Sequence, residues 1–127
     1  MKAHQARPVF LNLLLIRLPV GGVLSILHRV TGVLLVLCIP VQIWFVQLLN
    51  AGPQGHARAM QLYDQPGFKA MLFLMAWALI QHSLSGIRHL LLDAGLGYAL
   101  PVARTTAWIS FCVSLLLAGW VASLLWA

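Results

Sequence analysis

Three long apolar stretches divide this chain, over about residues 23–49, 68–92 and 107–126. Each reaches the length of roughly 20 residues that a helix needs to cross the hydrocarbon core of a bilayer. In lipid every backbone N–H and C=O must be paired within its own segment, so the three stretches predict three transmembrane α-helices. The fold class expected is an all-α membrane protein, a single membrane-anchor domain over residues 1–127. Residues 1–22 read as an amphipathic lead-in punctuated by Pro and Gly. Residues 50–67 contain Gly52-Pro53, Gly55 and Pro66-Gly67, turn signals that predict a polar loop. Residues 93–106, with Gly95, Gly97 and Pro101, predict a second, shorter loop. Pro40 lies inside the first span and is expected to kink it. Trp108 and Trp126 fall near the two ends of the third span, as interfacial aromatics do.

Composition strengthens the membrane reading. Of 127 residues, 61% are hydrophobic and 8% charged, against about 25% charged in soluble domains. The three spans and their connections use nearly all of the chain, which leaves little for a soluble catalytic domain. The run over residues 9–16 is short, is followed by Arg17 and Pro19 and lacks a small-residue cleavage site, so it is not read as a signal peptide.

The net charge of +6 would suggest nucleic acid in a soluble protein. Here the basic residues flank apolar segments, so topology accounts for them better. Lys2, Arg7, Arg17, Arg29, Arg88 and Arg104 fall on one side of a three-span arrangement, and Arg58 and Lys69 on the other. That asymmetry places the N-terminus in the cytoplasm, or the equivalent compartment of an organelle, and the C-terminus outside. Cys38 and Cys112 sit in apolar stretches without CxxC or metal-ligand spacing, and read as small buried hydrophobes.

Two segments carry chemistry. In the second span, His82, Gly86 and His89 fall at i, i+4 and i+7 and share a helix face. The glycine leaves a gap between two imidazoles that could accept a flat, bulky cofactor. His82 lies about 16 Å before the helix end at Asp93, at 1.5 Å per residue. A histidine at that depth is costly and needs a partner or a task. Neutral imidazole is a good ligand for haem iron, but a histidine hydrogen-bonded to a neighbouring helix fits the spacing equally well. Arg88 reads as a boundary marker, Asp93 as a local cap or ion-pair partner, and His89 as interfacial packing or part of a polar network.

At the start of the first span, Ser25, His28 and Arg29 stand at i, i+3 and i+4. A hydroxyl and a guanidinium there could hydrogen-bond a quinone carbonyl and stabilise negative charge as the ring is reduced. A snorkelling arginine beside a helix-starting serine is the plainer alternative. His4 and His56 read as solvated. Gln42, Gln47 and Gln81 could bond other helices, which would suit a chain that packs against partner subunits.

Taken together, these segments resemble the larger cytochrome b membrane-anchor subunit of succinate dehydrogenase, respiratory complex II. Three motifs match in order. Arg7-Pro8, a short apolar stretch, then Arg17 and Pro19 resembles the family's N-terminal segment. Ser25-Ile26-Leu27-His28-Arg29-Val30-Thr31-Gly32 resembles its S-x-x-H-R-x-S/T-G signature. His82 with Gly86-Ile87-Arg88-His89-Leu90 and Asp93 resembles H-x-x-x-G-I-R-H-x-x-x-D. Phe10-Leu11-Asn12-Leu13 departs from members that carry more polar residues there.

The resemblance implies a helical bundle completed by a second, different membrane-anchor subunit. It implies that His82 is the axial ligand to the iron of haem b, shared with a histidine of that second anchor. It implies a ubiquinone site at Ser25 and Arg29, with His28 and Arg29 close to the haem propionates and His89 in the surrounding network. The partners implied are the second membrane anchor, an iron–sulfur subunit and a flavoprotein subunit. This chain carries neither a cysteine set for clusters nor a nucleotide-binding glycine motif.

The function expected is that of a non-dehydrogenase subunit, inactive alone, passing electrons from the iron–sulfur subunit to quinone in a bacterial inner membrane rather than a mitochondrial one. Two alternatives stand beside it, a quinol:fumarate reductase anchor and a cofactor-free membrane scaffold or assembly protein.

Overall fold

A computed structural model describes residues 18–127, which form four helices joined by short connections. The helices are α1 (Val20–Leu49), α2 (Gly52–Tyr63), α3 (Pro66–Asp93) and α4 (Leu100–Trp126). α1, α3 and α4 are long and apolar enough to cross a membrane. The first motif, apart from Pro19, lies outside the described residues, as do His4, Lys2, Arg7 and Arg17.

Each span starts earlier than the apolar pattern suggests, and proline is the reason. Pro19 caps α1 with extended backbone (φ −64°, ψ 153°), so the helix begins at Val20 and runs through Gly21 and Gly22. Pro66 occupies the first position of α3, and Pro101 the first turn of α4. Proline is at home in a helix's first turn, because the N–H it lacks has no intrahelical partner there. α1 continues through Pro40, where the missing N–H leaves the Val36 carbonyl without its usual donor.

The expected loop over residues 50–67 is mostly helix. Gly52 adopts φ +80°, which reverses the chain after α1, and Pro53 opens α2. Gly55 and Ala59 are buried at i and i+4, with Leu62 and Tyr63 half-buried on the same side. This inward face is built of small residues, so the helix lacks the large apolar stripe that periodicity detects. A Cβ at Gly55 would lie 2.6 Å from the Leu48 carbonyl oxygen and 2.7 Å from Ala51 Cβ. The Lys69 ammonium stands 5.2 Å from the centre of the Tyr63 ring, tying the end of α2 to the start of α3.

The spans run antiparallel in sequence, and α3 packs against both α1 and α4. Phe45 meets Phe68 with ring centres 4.8 Å apart near the α2 end, where Phe73 also meets Trp126 at 6.1 Å. At the other end α3 closes with a Schellman motif. Gly95 takes φ +79°, its N–H bonds the Leu92 carbonyl, and the Leu96 N–H bonds that of Leu91. Because α4 begins at Leu100, Trp108 sits about two turns inside it rather than at its end.

The interior is small and partly polar. Its buried apolar residues are Leu24, Ala59, Met75, Ala78, Ala107 and Ala118; its buried polar ones are Thr31, Gln81, Ser85, Arg88 and Ser114. Large apolar side chains such as Leu37, Leu90 and Leu116 point outward. Lipid tails are as apolar as leucine, so helices in a bilayer gain more from close backbone approach at small residues than from hiding large ones. Cys38 is half-buried, but Cys112 is exposed on α4 and so departs from the buried reading. Gln42 and Gln47 are both exposed on α1, and His56 is exposed on α2.

Gly55→Ala should destabilise the detergent-solubilised protein by about 1–3 kcal/mol, the usual range for overpacking. Gly67→Ala, with nothing within 4 Å of the added Cβ, should be neutral or slightly stabilising. Thermal unfolding of both variants checks the contrast. Equal effects would mean that α2 does not rest on the end of α1.

Candidate functional site

The polar residues of α1 and α3 meet at the end of the bundle where α1 begins and α3 finishes. His28 on α1 faces His82 and His89 on α3. The His28 and His82 rings stack with centres 4.2 Å apart and planes 15° from parallel. His89 stands 5.3 Å from His28, tilted by 54°. The sequence spacing places His82 and His89 on one face, and α1 brings the third imidazole to it.

Two glycines make this approach possible. A Cβ at Gly86 would lie 3.2 Å from His28 Nε2, and a Cβ at Gly32 would lie 2.9 Å from His82 Cε1. The gap at Gly86, expected to admit a cofactor, is therefore filled by the His28 ring. Gly32 performs the matching task on α1, since any side chain there would meet the His82 ring. Sequence spacing alone missed Gly32, although it stands four residues after His28 on the same face.

His82 Nδ1 lies 3.0 Å from the His28 backbone oxygen. A carbonyl oxygen only accepts, so Nδ1 carries the proton. In the neutral ring the lone pair then resides on Nε2, the arrangement that metal-ligating histidines commonly use. Thr31, buried one turn on, donates its hydroxyl to the Leu27 carbonyl at 2.7 Å and approaches that of His28 at 3.0 Å.

Beyond His82 the same two helices form an apolar groove of about 480 Å³. Leu35, Val36 and Ile39 line it from α1, and Leu72, Met75 and Leu79 from α3, with Gln42 at its far end. Leu35 and Leu79 are each one turn from the Gly32–His82 contact. The residues present fit a flat, apolar, iron-bearing group: one imidazole with a free lone pair, a glycine beside it and an apolar trough next to it. The three imidazoles are not a chelating set, since among the described residues no group of three His, Cys, Asp or Glu could hold a bare metal ion.

Ser25 and Arg29 stand one turn apart on α1, Ser25 half-buried and Arg29 exposed. Arg29 Nε donates to the Ser25 backbone oxygen at 3.3 Å rather than to its hydroxyl.

Arg88, near the end of α3, shows a contact that its reading as a boundary marker does not include. It is buried and turned toward α4, where Nη2 donates to the Ala103 carbonyl at 2.8 Å and Nε to the Thr106 hydroxyl at 3.3 Å. Asp93 is the exposed last residue of α3. Gln81 bonds Ser85 within its own helix at 2.8 Å rather than reaching a neighbour.

Comparison with known proteins shows the family. The sequence profile of the succinate dehydrogenase/fumarate reductase transmembrane subunits matches residues 3–121. The chain is 34% identical over 109 residues to the succinate dehydrogenase cytochrome b556 subunit of Coxiella burnetii, covering 85% of this chain and 87% of that one. It is 34% identical over 113 residues to the cytochrome b556 subunit of Paracoccus denitrificans, covering 88% and 86%. With the Rickettsia felis protein of the same name it shares 30% over 114 residues, 90% of this chain and 89% of the relative. A three-span chain with an imidazole cluster between its first two spans, matched over nearly its whole length, belongs to the family of succinate dehydrogenase/fumarate reductase transmembrane subunits.

Proposed function

We propose that the chain anchors a succinate:ubiquinone oxidoreductase, holds haem b jointly with a second membrane anchor, and forms part of the site where ubiquinone is reduced. The observation that carries this reading is the contact between His82 Nδ1 and the His28 carbonyl. It leaves Nε2 of a histidine deep in a membrane helix with a lone pair, beside a glycine and an apolar groove. His82 would hold the haem iron through Nε2. Its ring stacks on His28 and passes close to Gly32. His28 and His89 would donate toward the propionates of the same group, with Arg29 contributing charge. Bound there, haem b supplies a one-electron redox centre.

Ser25 and Arg29 would serve the quinone. Its reduction to quinol takes up two electrons and two protons. Negative charge develops on the carbonyl oxygens before protonation is complete, and a fixed guanidinium in a low-dielectric site stabilises it. The Ser25 hydroxyl would orient the carbonyl by donating to it. The electrons would come from an iron–sulfur subunit that docks at this end of the bundle, and succinate would be oxidised on a flavoprotein subunit beyond it. The proposed location is a bacterial inner membrane with the N-terminus cytoplasmic, which sets the imidazole end against those soluble subunits.

The family profile spans both succinate dehydrogenases and fumarate reductases, so the reverse direction is the second reading. Succinate-driven quinone reduction by the purified complex separates the two.

His82→Ala should abolish or alter the b-type absorption of the complex while its subunits still co-purify. Gly32→Ala should shift that spectrum with less loss of haem, because the added Cβ pushes on the ring without removing it. An unchanged low-spin spectrum and normal haem content in His82→Ala would remove His82 as the ligand.

Arg29→Leu should lower quinone reduction by about 100-fold, the scale seen when a charge-stabilising donor is lost. Succinate oxidation with a soluble artificial acceptor should persist. Parallel loss of both activities would argue for a structural role instead.

A further inference from the structure

About 120° around α3 from His82 stands a second polar group with unused capacity. Arg88 is 7% exposed, yet both of its hydrogen-bond partners, the Ala103 carbonyl and the Thr106 hydroxyl, are neutral. A guanidinium has five N–H donors, and these two bonds use two of them. The chain contains two acidic residues, Asp64 and Asp93. Asp64 lies at the opposite end of α3. Asp93 is exposed and five positions from Arg88, about 140° around the helix at 100° per residue. A cation this well buried, and lacking a counter-charge, is costly in a low-dielectric setting. Nor can it snorkel out to water while α4 holds it.

Arg88 borders a groove of about 440 Å³ between α3 and α4. Thr106 and Ser110 add hydroxyl groups to its polar side, and Leu84, Ile87 and Ile109 line its apolar side. Ile87 and Ile109 are more than half exposed, so the groove opens outward. Leu91, also in its wall, stands nine residues from His82 and so about half a turn around α3 from it. The groove is thus distinct from the imidazole site. Arg88 lies about 8 Å from the end of α3, at 1.5 Å per residue, so the polar side is near the membrane boundary and the apolar side runs inward.

A cation at the boundary end of an apolar, outward-opening groove matches one class of molecule. We propose that this groove binds an anionic glycerophospholipid, its phosphate against Arg88 and within reach of the Ser110 hydroxyl, and an acyl chain along Leu84, Ile87 and Ile109. The bound phosphate supplies the counter-charge that the chain itself does not place beside Arg88. This site does not rest on the haem or quinone assignments.

The test uses the assembled complex in detergent, supplemented with phosphatidylglycerol and phosphatidylcholine in equal amounts. Native mass spectrometry counts the lipids retained and the protein subunits present. The wild-type complex should retain phosphatidylglycerol in preference to phosphatidylcholine. Arg88→Gln removes the charge. Ile87→Trp fills the groove and leaves the bonds of Arg88 to α4 intact, so it decides the matter even if Arg88→Gln does not assemble. Each variant should weaken phosphatidylglycerol binding by about tenfold or more, the loss expected for a charge-assisted contact. Equal retention of both lipids by the wild type would overturn the proposal, as would wild-type retention of phosphatidylglycerol by Ile87→Trp. Loss of a protein subunit from Ile87→Trp would also overturn it, since the groove would then be a contact between subunits.

Discussion

A helical carbonyl inside a membrane already has its N–H partner four residues on, so any further donor to it must be a side chain, either local, as Thr31 is, or from a neighbouring helix. The bond from His82 Nδ1 to the His28 carbonyl is of the second kind. It requires α1 and α3 to approach until an imidazole on one helix touches the backbone of the other. Gly32 and Gly86 are what allow that spacing. At that spacing the His28 ring stacks on His82, while His89 meets it at a tilt. The same bond fixes which nitrogen of His82 bears the proton, and hence which one is available as a ligand. Helix spacing, ring orientation and ligand chemistry are therefore one constraint, set at a single crossing.

The rest of the bundle is consistent with a chain that is not stabilised by hiding large apolar groups. Alanine, serine and threonine fill the contacts of α3 with α4, while leucine, valine and tryptophan cover the outside. In water that pattern would be inverted; in lipid it is expected, and it leaves broad apolar faces for tails and neighbouring helices. The buried Gln81 Oε1 and Ser114 hydroxyl have no partner among the described residues. They mark the α3–α4 contact as the place where the polar interior is least satisfied.

Much of this was legible in the sequence because three spans of apolar residues leave lipid as the only solvent that fits them. The shared faces of His82 with His89, and of Ser25 with Arg29, were legible because helical spacing is rigid. The structure adds what spacing cannot contain. Which helix faces which is a tertiary fact, so the filling of the Gly86 gap by His28 was not readable from α3 alone. Proline misleads in a consistent direction. Pro53, Pro66 and Pro101 look like loop signals but open helices, since a proline that cannot continue a helix can still begin one. α2 is hidden from periodicity because its inward face is Gly55 and Ala59, residues whose contribution is closeness rather than hydrophobicity. For Arg88 the sequence indicates depth near a boundary but not burial, because charge predicts depth and not which neighbour will claim the side chain.

The two polar faces of α3 explain why the unit has three spans. His82, Gly86 and His89 need a helix that can approach closely and offer a carbonyl, and α1 supplies both. Gln81, Ser85 and Arg88 lie on another side and would otherwise face hydrocarbon. Among the described residues none of the imidazole contacts involves α4, so its contribution lies elsewhere. It covers the second polar face, and the Ala103 carbonyl and Thr106 hydroxyl take up the guanidinium. Two spans would leave one of the faces open to lipid. With α4 in place, the guanidinium of Arg88 is bonded to the Ala103 carbonyl and the Thr106 hydroxyl, and the His82 ring keeps a neighbourhood built of imidazole, glycine and backbone.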